Sequence, residues 1–92
     1  MIKTFRDKKT LAVYDGKRVK DFQAITAQAE RRLQILDNAT SLQDLSGLPS
    51  NRFEALHGDR LGQYSIRIND QWRLCFTWTD GDAYDVEIVD YH

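Results

Sequence analysis

The apolar residues of the chain change their spacing near its middle. Before Asn51 they recur at intervals of three and four, which is typical of amphipathic helices. After Asn51 they recur at every second position, as in strands that turn one face toward a core. With 92 residues and no linker, this pattern predicts one α+β domain over residues 1–92, in the order β-α-α-β-β-β-β.

The N-terminal segment predicts a short strand followed by a short helix. Ile2–Phe5 is partly β-branched, which favours a first strand. Asp7 is suited to cap a helix that carries Leu11 and Tyr14 on one face, because its carboxylate can accept from free backbone N–H groups. Gly16 is suited to end that helix, since glycine adopts the left-handed conformation of a helix stop.

A longer amphipathic helix is predicted from about residue 21 to residue 37. Its apolar stripe is formed by Phe22, Ile25, Ala29, Leu33 and Leu36. Ser41 and Asp44 have the spacing of a capping box, which predicts one further helical turn. Gly47 and Pro49 are then expected to end helical structure.

The second half predicts an antiparallel meander with one apolar face against two helices. A short strand is expected at Phe53–Leu56, and turn residues at Asn69-Asp70 and Asp80-Gly81 separate three longer strands. The predicted core-facing residues of these strands are Tyr64, Ile66, Ile68, Trp72, Leu74, Phe76, Trp78, Tyr84, Val86 and Ile88.

Alternation places Arg67 and Arg73 on the opposite face of the sheet, on neighbouring strands. Two like charges repel there unless an anion lies between them. Asp85 or Glu87 of the next strand is one candidate for that anion, and a phosphate group is the other. The alternation by itself leaves both interpretations open.

The composition favours a folded domain without a metal or cofactor. Cys75 is the single cysteine, which excludes an internal disulfide and makes a cysteine-based metal site a poor fit. His57 and His92 are far apart in sequence and have no cysteines near them, so they make a weak zinc site. The chain also has no phosphate-cradling glycine loop.

The charge distribution and the absence of targeting signals indicate the cellular location and the kind of binding surface to expect. The N-terminus has no apolar signal segment and no stretch is long enough to span a membrane, so we expect a cytoplasmic protein without a membrane partner. Net charge is −1, but nine basic and six acidic residues give residues 1–50 a charge of +3. Four basic and eight acidic residues give residues 51–92 a charge of −4, so an anion-binding surface must be assembled locally by the fold.

Three groups of ionisable residues are candidates for chemistry. In the loop His57-Gly58-Asp59-Arg60, Arg60 is suited to bidentate phosphate binding, and His57 is either a proton-transfer group or an exposed loop residue. The last residues, Asp90-Tyr91-His92, are either a proton-transfer cluster or a frayed strand end. Glu54 is either a general base or a strand residue that faces solvent.

Together these side chains suit metal-free cleavage of RNA. A 2′-hydroxyl is deprotonated and attacks the adjacent phosphorus, arginines stabilise the added charge, and an acid protonates the leaving 5′-oxygen. Arginine, histidine, tyrosine and carboxylates are the groups that this reaction needs.

The chain resembles the HigB type of toxin in the RelE/ParE superfamily, including its GraT-like members. The resemblance covers nearly the whole chain and is strongest from residue 30 onward. The motifs that carry it are Gly58-Asp59-Arg60, Tyr64-Ser65-Ile66-Arg67, Trp72-Arg73-Leu74-Cys75-Phe76 and Asp90-Tyr91-His92.

The resemblance implies the toxin of a bacterial type II toxin–antitoxin pair, with a sheet and two helices on one side. Such toxins enter the A site of the 30S ribosomal subunit and cut mRNA. A HigA-type helix-turn-helix antitoxin would hold the toxin inactive and would contact operator DNA, which the toxin would reach only indirectly. No cofactor is implied.

Residue by residue, the resemblance implies catalytic roles for Asp90, Tyr91 and His92, and a phosphate-side role for Arg73. Some HigB toxins have a histidine where this chain has Glu54 and a lysine where it has His57. Either proton transfer would then be distributed differently here, with His57 taking a larger part, or the activity would be weaker.

Two other functions remain open at this stage. One is a non-enzymatic binding toxin like the gyrase inhibitors of the superfamily, although that branch lacks the Asp90-Tyr91-His92 cluster. The other is a co-repressor that acts with its antitoxin.

Overall fold

The computed structural model describes residues 1–90, and the remaining two residues, Tyr91 and His92, lie outside the described residues. The α-helices are α1 (Lys8–Tyr14), α2 (Thr26–Asn38) and α3 (Leu42–Ser46), and the strands are β1 (Glu54–Ala55), β2 (Tyr64–Arg67), β3 (Trp72–Thr79) and β4 (Asp82–Asp90). Short 3₁₀ segments occupy Lys20–Ile25, Pro49–Asn51 and Gly58–Arg60.

The four strands form one antiparallel sheet in the order β1-β2-β3-β4, which confirms the predicted α+β meander. The predicted first strand differs, because Ile2 and Phe5 make only isolated parallel bridges to Ala83 and Val86 of β4. Between those bridges Asp85 has a φ of 52° and donates its N–H to the Thr4 hydroxyl instead of to a backbone carbonyl. This interruption keeps the N-terminal segment from forming a continuous ladder.

Helix α1 begins and ends as predicted but buries a different face. The Asp7 carboxylate accepts the Thr10 N–H at 2.8 Å, and Gly16 has a φ of +81°. Thr10 and Val13 are the buried residues of the helix, whereas Leu11 and Tyr14 are each 40% exposed. The helix faces β4, where the Thr10 hydroxyl accepts the N–H of Ile88 at 3.0 Å, and this contact decides which face is buried.

The apolar stripe of the long predicted helix is buried as expected, but the helix is not continuous. Residues 20–25 are 3₁₀, and Phe22 (φ −115°, ψ 17°) interrupts the helical backbone before α2 begins at Thr26. Phe22 packs edge-on against Trp72 of β3 with ring centroids 5.4 Å apart. Tertiary packing has therefore overridden the helical period in the first turn.

The predicted capping box is present at the start of α3. The Ser41 hydroxyl accepts the Asp44 N–H at 3.2 Å, and the Asp44 carboxylate accepts the Ser41 N–H at 3.3 Å. Helix α3 ends before Gly47, but helical structure resumes in one 3₁₀ turn from Pro49 to Asn51, so the prediction that Gly47 and Pro49 end it was wrong. Proline is tolerated at the first position of a helical turn, where its missing N–H has no partner to lose.

The core lies between the helices and one side of the sheet, which we call the inner face. Ile66, Leu74 and Phe76 of that face are fully buried against Leu33 and Leu36 of α2 and other apolar residues of the core cluster. The other side, called the outer face, carries Glu54, Ser65, Cys75 and Glu87 as one row of direct cross-strand neighbours. No helix within residues 1–90 has the length and apolar character needed to cross a bilayer.

Candidate functional site

Arg73 is a buried cation on the outer face, near the start of β3. It lies directly opposite Arg67 on β2, two residues along from the Ser65–Cys75 pair on the same face, and is only 7% exposed. Its Nε donates to the Ser65 hydroxyl at 2.8 Å, and its Nη1 lies 3.6 Å from a carboxylate oxygen of Glu54. A guanidinium held in this way has little freedom to turn away from the face.

The backbone before β1 also holds Arg73. Its Nη2 donates to the carbonyl oxygen of Arg52 at 2.5 Å. Arg52 has a φ of 46°, in the left-handed region that non-glycine residues rarely adopt. The strained residue thus directs its carbonyl toward the buried cation, and strain of this kind is common at functional sites.

The loop between β1 and β2 crosses the outer face. Arg60, which follows β1 in the chain, donates to the Glu87 carboxylate of β4 at 3.0 Å and to the Gln63 side chain at 2.9 Å. Because β2 and β3 lie between β1 and β4, Arg60 must reach across both strands. Arg6 also lies 3.8 Å from the same Glu87 oxygen.

Cys75 lies beneath these charged groups. It is fully buried, yet neither Cys75 nor Leu56 belongs to the main core cluster. Burial raises the pKa of the Cys75 thiol, and nearby Glu87 acts in the same direction, while Arg60 and Arg73 oppose it. A buried thiol with a raised pKa is a poor nucleophile, so this environment argues against a nucleophilic role for Cys75.

Within residues 1–90, the carboxylates seen to pair with Arg67 and Arg73 differ from those considered from the sequence. Glu87 contacts Arg60 and Arg6, and Asp85 is exposed at the interruption in β4. Arg73 contacts Glu54 instead, and Arg67 pairs with Asp70 in the turn that follows its own strand. The β-bulge near Asp85 and the loop crossing explain the difference, because neither is visible in strand alternation.

The other predicted site residues are only partly brought together. Glu54 is half exposed beside Arg73, whereas His57 is exposed on the loop before the Gly58–Arg60 turn. Asp90 lies opposite Trp72, on the side of the sheet away from Arg73, and its carboxylate accepts from the Gln71 side chain at 3.1 Å. Tyr91 and His92 are outside the described residues.

A comparison with known families places this arrangement in context. The model of the family described as "RelE-like toxin of type II toxin-antitoxin system HigB" matches residues 3–92, which is nearly the whole chain. The chain belongs to the HigB-like toxin family.

Curated HigB proteins are similar over part of their length. Toxin HigB-1 of Vibrio cholerae serotype O1 is 53% identical over 53 residues, which cover 58% of this chain and 56% of that protein. Endoribonuclease HigB of Proteus vulgaris is 39% identical over 61 residues, which cover 66% of this chain and 65% of that protein. The matched segments therefore span between half and two thirds of these relatives.

Solved structures support the fold over its full extent. YafQ from E. coli strain BL21(DE3) superposes with a TM-score of 0.61 at 12% identity and covers 98% of this chain and 93% of that one. The YoeB–YefM complex from Staphylococcus aureus has a similar chain with a TM-score of 0.58 at 21% identity, covering 100% of this chain and 98% of that one. The resemblance noted in the sequence is thus confirmed for family and fold.

Sequence reasoning missed two residues of the candidate site, Ser65 and Arg52, which both hold Arg73. It considered Glu87 as a partner of Arg67 and Arg73, whereas Glu87 holds Arg60. Ser65 is a polar residue in a strand between apolar neighbours, which is a weak local signal. The contacts of Arg52 and Glu87 join residues 21 and 27 positions apart, and no local pattern reports such distances. Across residues 1–90, no group of three or more histidine, cysteine or carboxylate side chains is arranged to hold a metal ion.

Proposed function

We propose that this HigB-like chain is a toxin that cleaves mRNA on the ribosome, by metal-free attack of a 2′-hydroxyl on the adjacent phosphorus. The proposal rests on family membership, on the endoribonuclease named among the relatives, and on the chemistry of the outer face. The candidate site consists of Arg73, Glu54 and Arg60 on the described part of that face, with Arg67 beside them.

The observation that carries the proposal is the buried Arg73. A guanidinium is costly to bury, and this one is supported by a hydroxyl, a backbone carbonyl and a half-exposed carboxylate. Such support keeps a bidentate donor oriented before any substrate arrives. Preorganised donors of this kind stabilise the charge that develops on phosphoryl oxygens in the transition state.

The reaction assigns a role to each group. A base takes the proton of the 2′-hydroxyl, whose oxygen forms a bond to phosphorus while the bond from phosphorus to the 5′-oxygen breaks. An acid then supplies a proton to the 5′-oxygen, so the products are a 2′,3′-cyclic phosphate and a 5′-hydroxyl. Among residues 1–90, Glu54 is the candidate base in contact with Arg73, and its carboxylate shares the outer face and stays half exposed.

We assign the acid to the C-terminal residues or to the loop. His92 and Tyr91 are the candidates that the resemblance implies, with Asp90 as a neighbour that would act on them. His57 is the alternative, since it lies exposed three residues after Glu54. Arg60 and Arg67 would bind the phosphates on either side of the scissile one.

The partners follow from the same proposal. We expect a HigA-type antitoxin that neutralises the chain and contacts operator DNA on behalf of the complex. We further expect mRNA in the A site of the 30S subunit as substrate, and hence the bacterial cytoplasm as the location. The ribosome would supply much of the mRNA positioning, which is consistent with a chain of net charge −1.

The decisive experiment maps mRNA 5′ ends by primer extension on purified ribosome complexes with the chain added. We expect discrete cuts with the wild type, and loss of these cuts with His92→Gln and with Arg73→Lys. The same mRNA without ribosomes should remain intact. Lys17→Gln, an exposed residue distant from the outer face in sequence, is the matched control and should cut like the wild type.

Three results would contradict the proposal. Folded His92→Gln and Arg73→Lys proteins that still cut would remove the candidate site from the reaction. Absence of cuts together with gyrase-dependent DNA damage would favour the non-enzymatic toxin, and repression without either effect would favour the co-repressor.

A further inference from the structure

A second group of arginines lies at the end of the sheet next to the candidate site. Arg31 and Arg32 are on α2, one turn after Gln28. The Gln28 side chain accepts from Asn69 at 3.4 Å, and Asn69 lies in the turn just after Arg67. This contact brings the arginine-bearing turn of α2 close to the end of β2.

The positive charges of this group are largely not neutralised by nearby carboxylates. Within residues 1–90, neither Arg31 nor Arg32 forms an ion pair with a carboxylate. Burial lowers the pKa of the Arg32 guanidinium, and repulsion from Arg31 and Arg67 lowers it further. Arg67 does pair with Asp70, but Asp70 is 98% exposed, so solvent weakens that pair.

Arg32 is held in place by neutral groups. Its Nη1 donates to the side-chain oxygen of Asn51 at 2.6 Å and lies 3.4 Å from the Ser50 hydroxyl. Asn51 is fully buried and donates to the Leu45 carbonyl at 3.0 Å. These partners orient the guanidinium without cancelling its charge, which leaves it able to attract an anion.

The group is also continuous with the candidate site, because Arg67 lies directly opposite Arg73 in the strand register. We propose that Arg31, Arg32 and Arg67 form a track that binds the phosphate backbone of single-stranded RNA and leads it to Arg73. The inference rests on the proposed function and adds the path that the RNA takes beside the cut.

RNA is favoured over an acidic protein segment by the composition and position of the track. All three residues are arginines, whose forked donors match phosphate oxygens. The track also begins at the site where the proposed reaction needs a phosphate. An acidic segment of the antitoxin is the competing occupant, and the experiment below separates the two.

The test measures binding without cleavage. A fluorescein-labelled single-stranded RNA with 2′-O-methyl groups cannot undergo 2′-hydroxyl attack, so its anisotropy reports binding alone. The variant is Arg31→Gln with Arg67→Gln. The matched control is Lys17→Gln with Arg18→Gln, which removes the same charge from two exposed residues that form no ion pair in the described chain.

We expect the track variant to bind the probe roughly five- to tenfold more weakly, with the control close to the wild type. The slope of log K against log salt should fall by about 1.4 for the variant, since each lost phosphate contact on a single strand contributes about 0.7. Arg32→Lys, which keeps the charge but loses the fork, should show an intermediate loss. Equal melting temperatures would show that all variants are folded.

The track would be overturned if both double variants bound the RNA probe equally weakly, or if both bound it as tightly as the wild type. Loss of antitoxin binding with unchanged RNA binding would also overturn it and assign the surface to an acidic protein segment. Cleavage of mRNA is scored separately. If the wild type binds the probe through the track but never cuts mRNA, only the proposed function is refuted. If the wild type cuts mRNA but its binding does not depend on the track residues, only the track is refuted.

Discussion

Both faces of the sheet have buried residues, but apolar packing stabilises one face and polar contacts stabilise the other. On the inner face, Phe76 and Leu74 are covered by apolar side chains from the helices. On the outer face, Ser65 and Arg73 are buried and held by polar contacts, among them the carbonyl of Arg52 just before β1. No buried side-chain nitrogen or oxygen atom within residues 1–90 lacks a hydrogen-bond partner.

This difference suits the inner face to stabilising the fold and the outer face to binding a ligand. Apolar packing is non-directional and cannot be exchanged for a ligand without leaving a cavity. Hydrogen bonds and ion pairs can be exchanged for equivalent contacts with a phosphate at modest net cost. The outer face is therefore the side of the sheet on which binding can occur without unfolding the core.

The largest expected effect comes from truncating the inner face. Phe76→Ala should lower the free energy of unfolding by about 3–5 kcal/mol, because it removes a fully buried ring and leaves a cavity. Urea denaturation followed by tryptophan fluorescence measures the loss, and Phe76→Leu, which preserves much of the volume, should cost less. A cost for Phe76→Ala no larger than that of an exposed substitution would refute the assignment of the core.

The next effect tests the outer face. Arg73→Met should lower the free energy of unfolding by about 1–3 kcal/mol, since the Ser65 hydroxyl and Arg52 carbonyl lose a buried donor. Cleavage of ribosome-bound mRNA should fall by about 100-fold or more, because a preorganised donor to the transition state is lost. Arg73→Met that is as stable and active as the wild type would mean that the outer face does not differ from an ordinary solvent face.

A smaller effect measures the ion pair that joins β1 to β3. A double-mutant cycle of Glu54→Gln and Arg73→Met should give a coupling of about 0.5 kcal/mol in unfolding, since the Glu54 side chain is 50% exposed and solvent screens it. The same cycle in cleavage should give a larger coupling if Glu54 is the base. Equal coupling in both measurements would leave Glu54 with a structural role only.

The smallest effect concerns a carboxylate that lies on neither face. Hydrogen bonds from Thr40 and Ser41 hold the pKa of Asp44 below its ordinary value. A lowered folded-state pKa contributes stability that is complete above the unfolded pKa and is lost as pH falls through the folded value. Asp44→Asn should therefore flatten the decline of stability below about pH 4, whereas an unchanged acid limb would contradict the capping role.

Some of the site could be predicted from alternation and some could not. Period two placed Arg67 and Arg73 together on the face opposite the core, and the structure has them directly opposed. It could not identify Glu54 as the partner of Arg73, because β1 comes beside β2 only after a loop of eight residues has closed. Asp90 fell on the other side of the sheet from Arg73, paired with Trp72 in register.

The fold was predictable where a local physical rule applies. The capping box at Ser41 and the apolar stripe of α2 depend on residues three or four positions apart, and both were found from spacing alone. The predictions of a first strand and of the buried face of α1 were wrong, because both features depend on contacts with β4, more than 70 residues away along the chain.

Spacing along the chain therefore determined the capping box, the apolar stripe of α2 and the outer-face position of Arg67 and Arg73, and the motifs themselves carried the family resemblance. Tertiary structure decided which charges meet. Arg60 crosses two strands to reach Glu87, and Arg52 adopts a left-handed backbone that offers its carbonyl to Arg73. The physical reason is that periodicity reports neighbours within a few residues, whereas the pairing of distant charges depends on how loops close around a formed core.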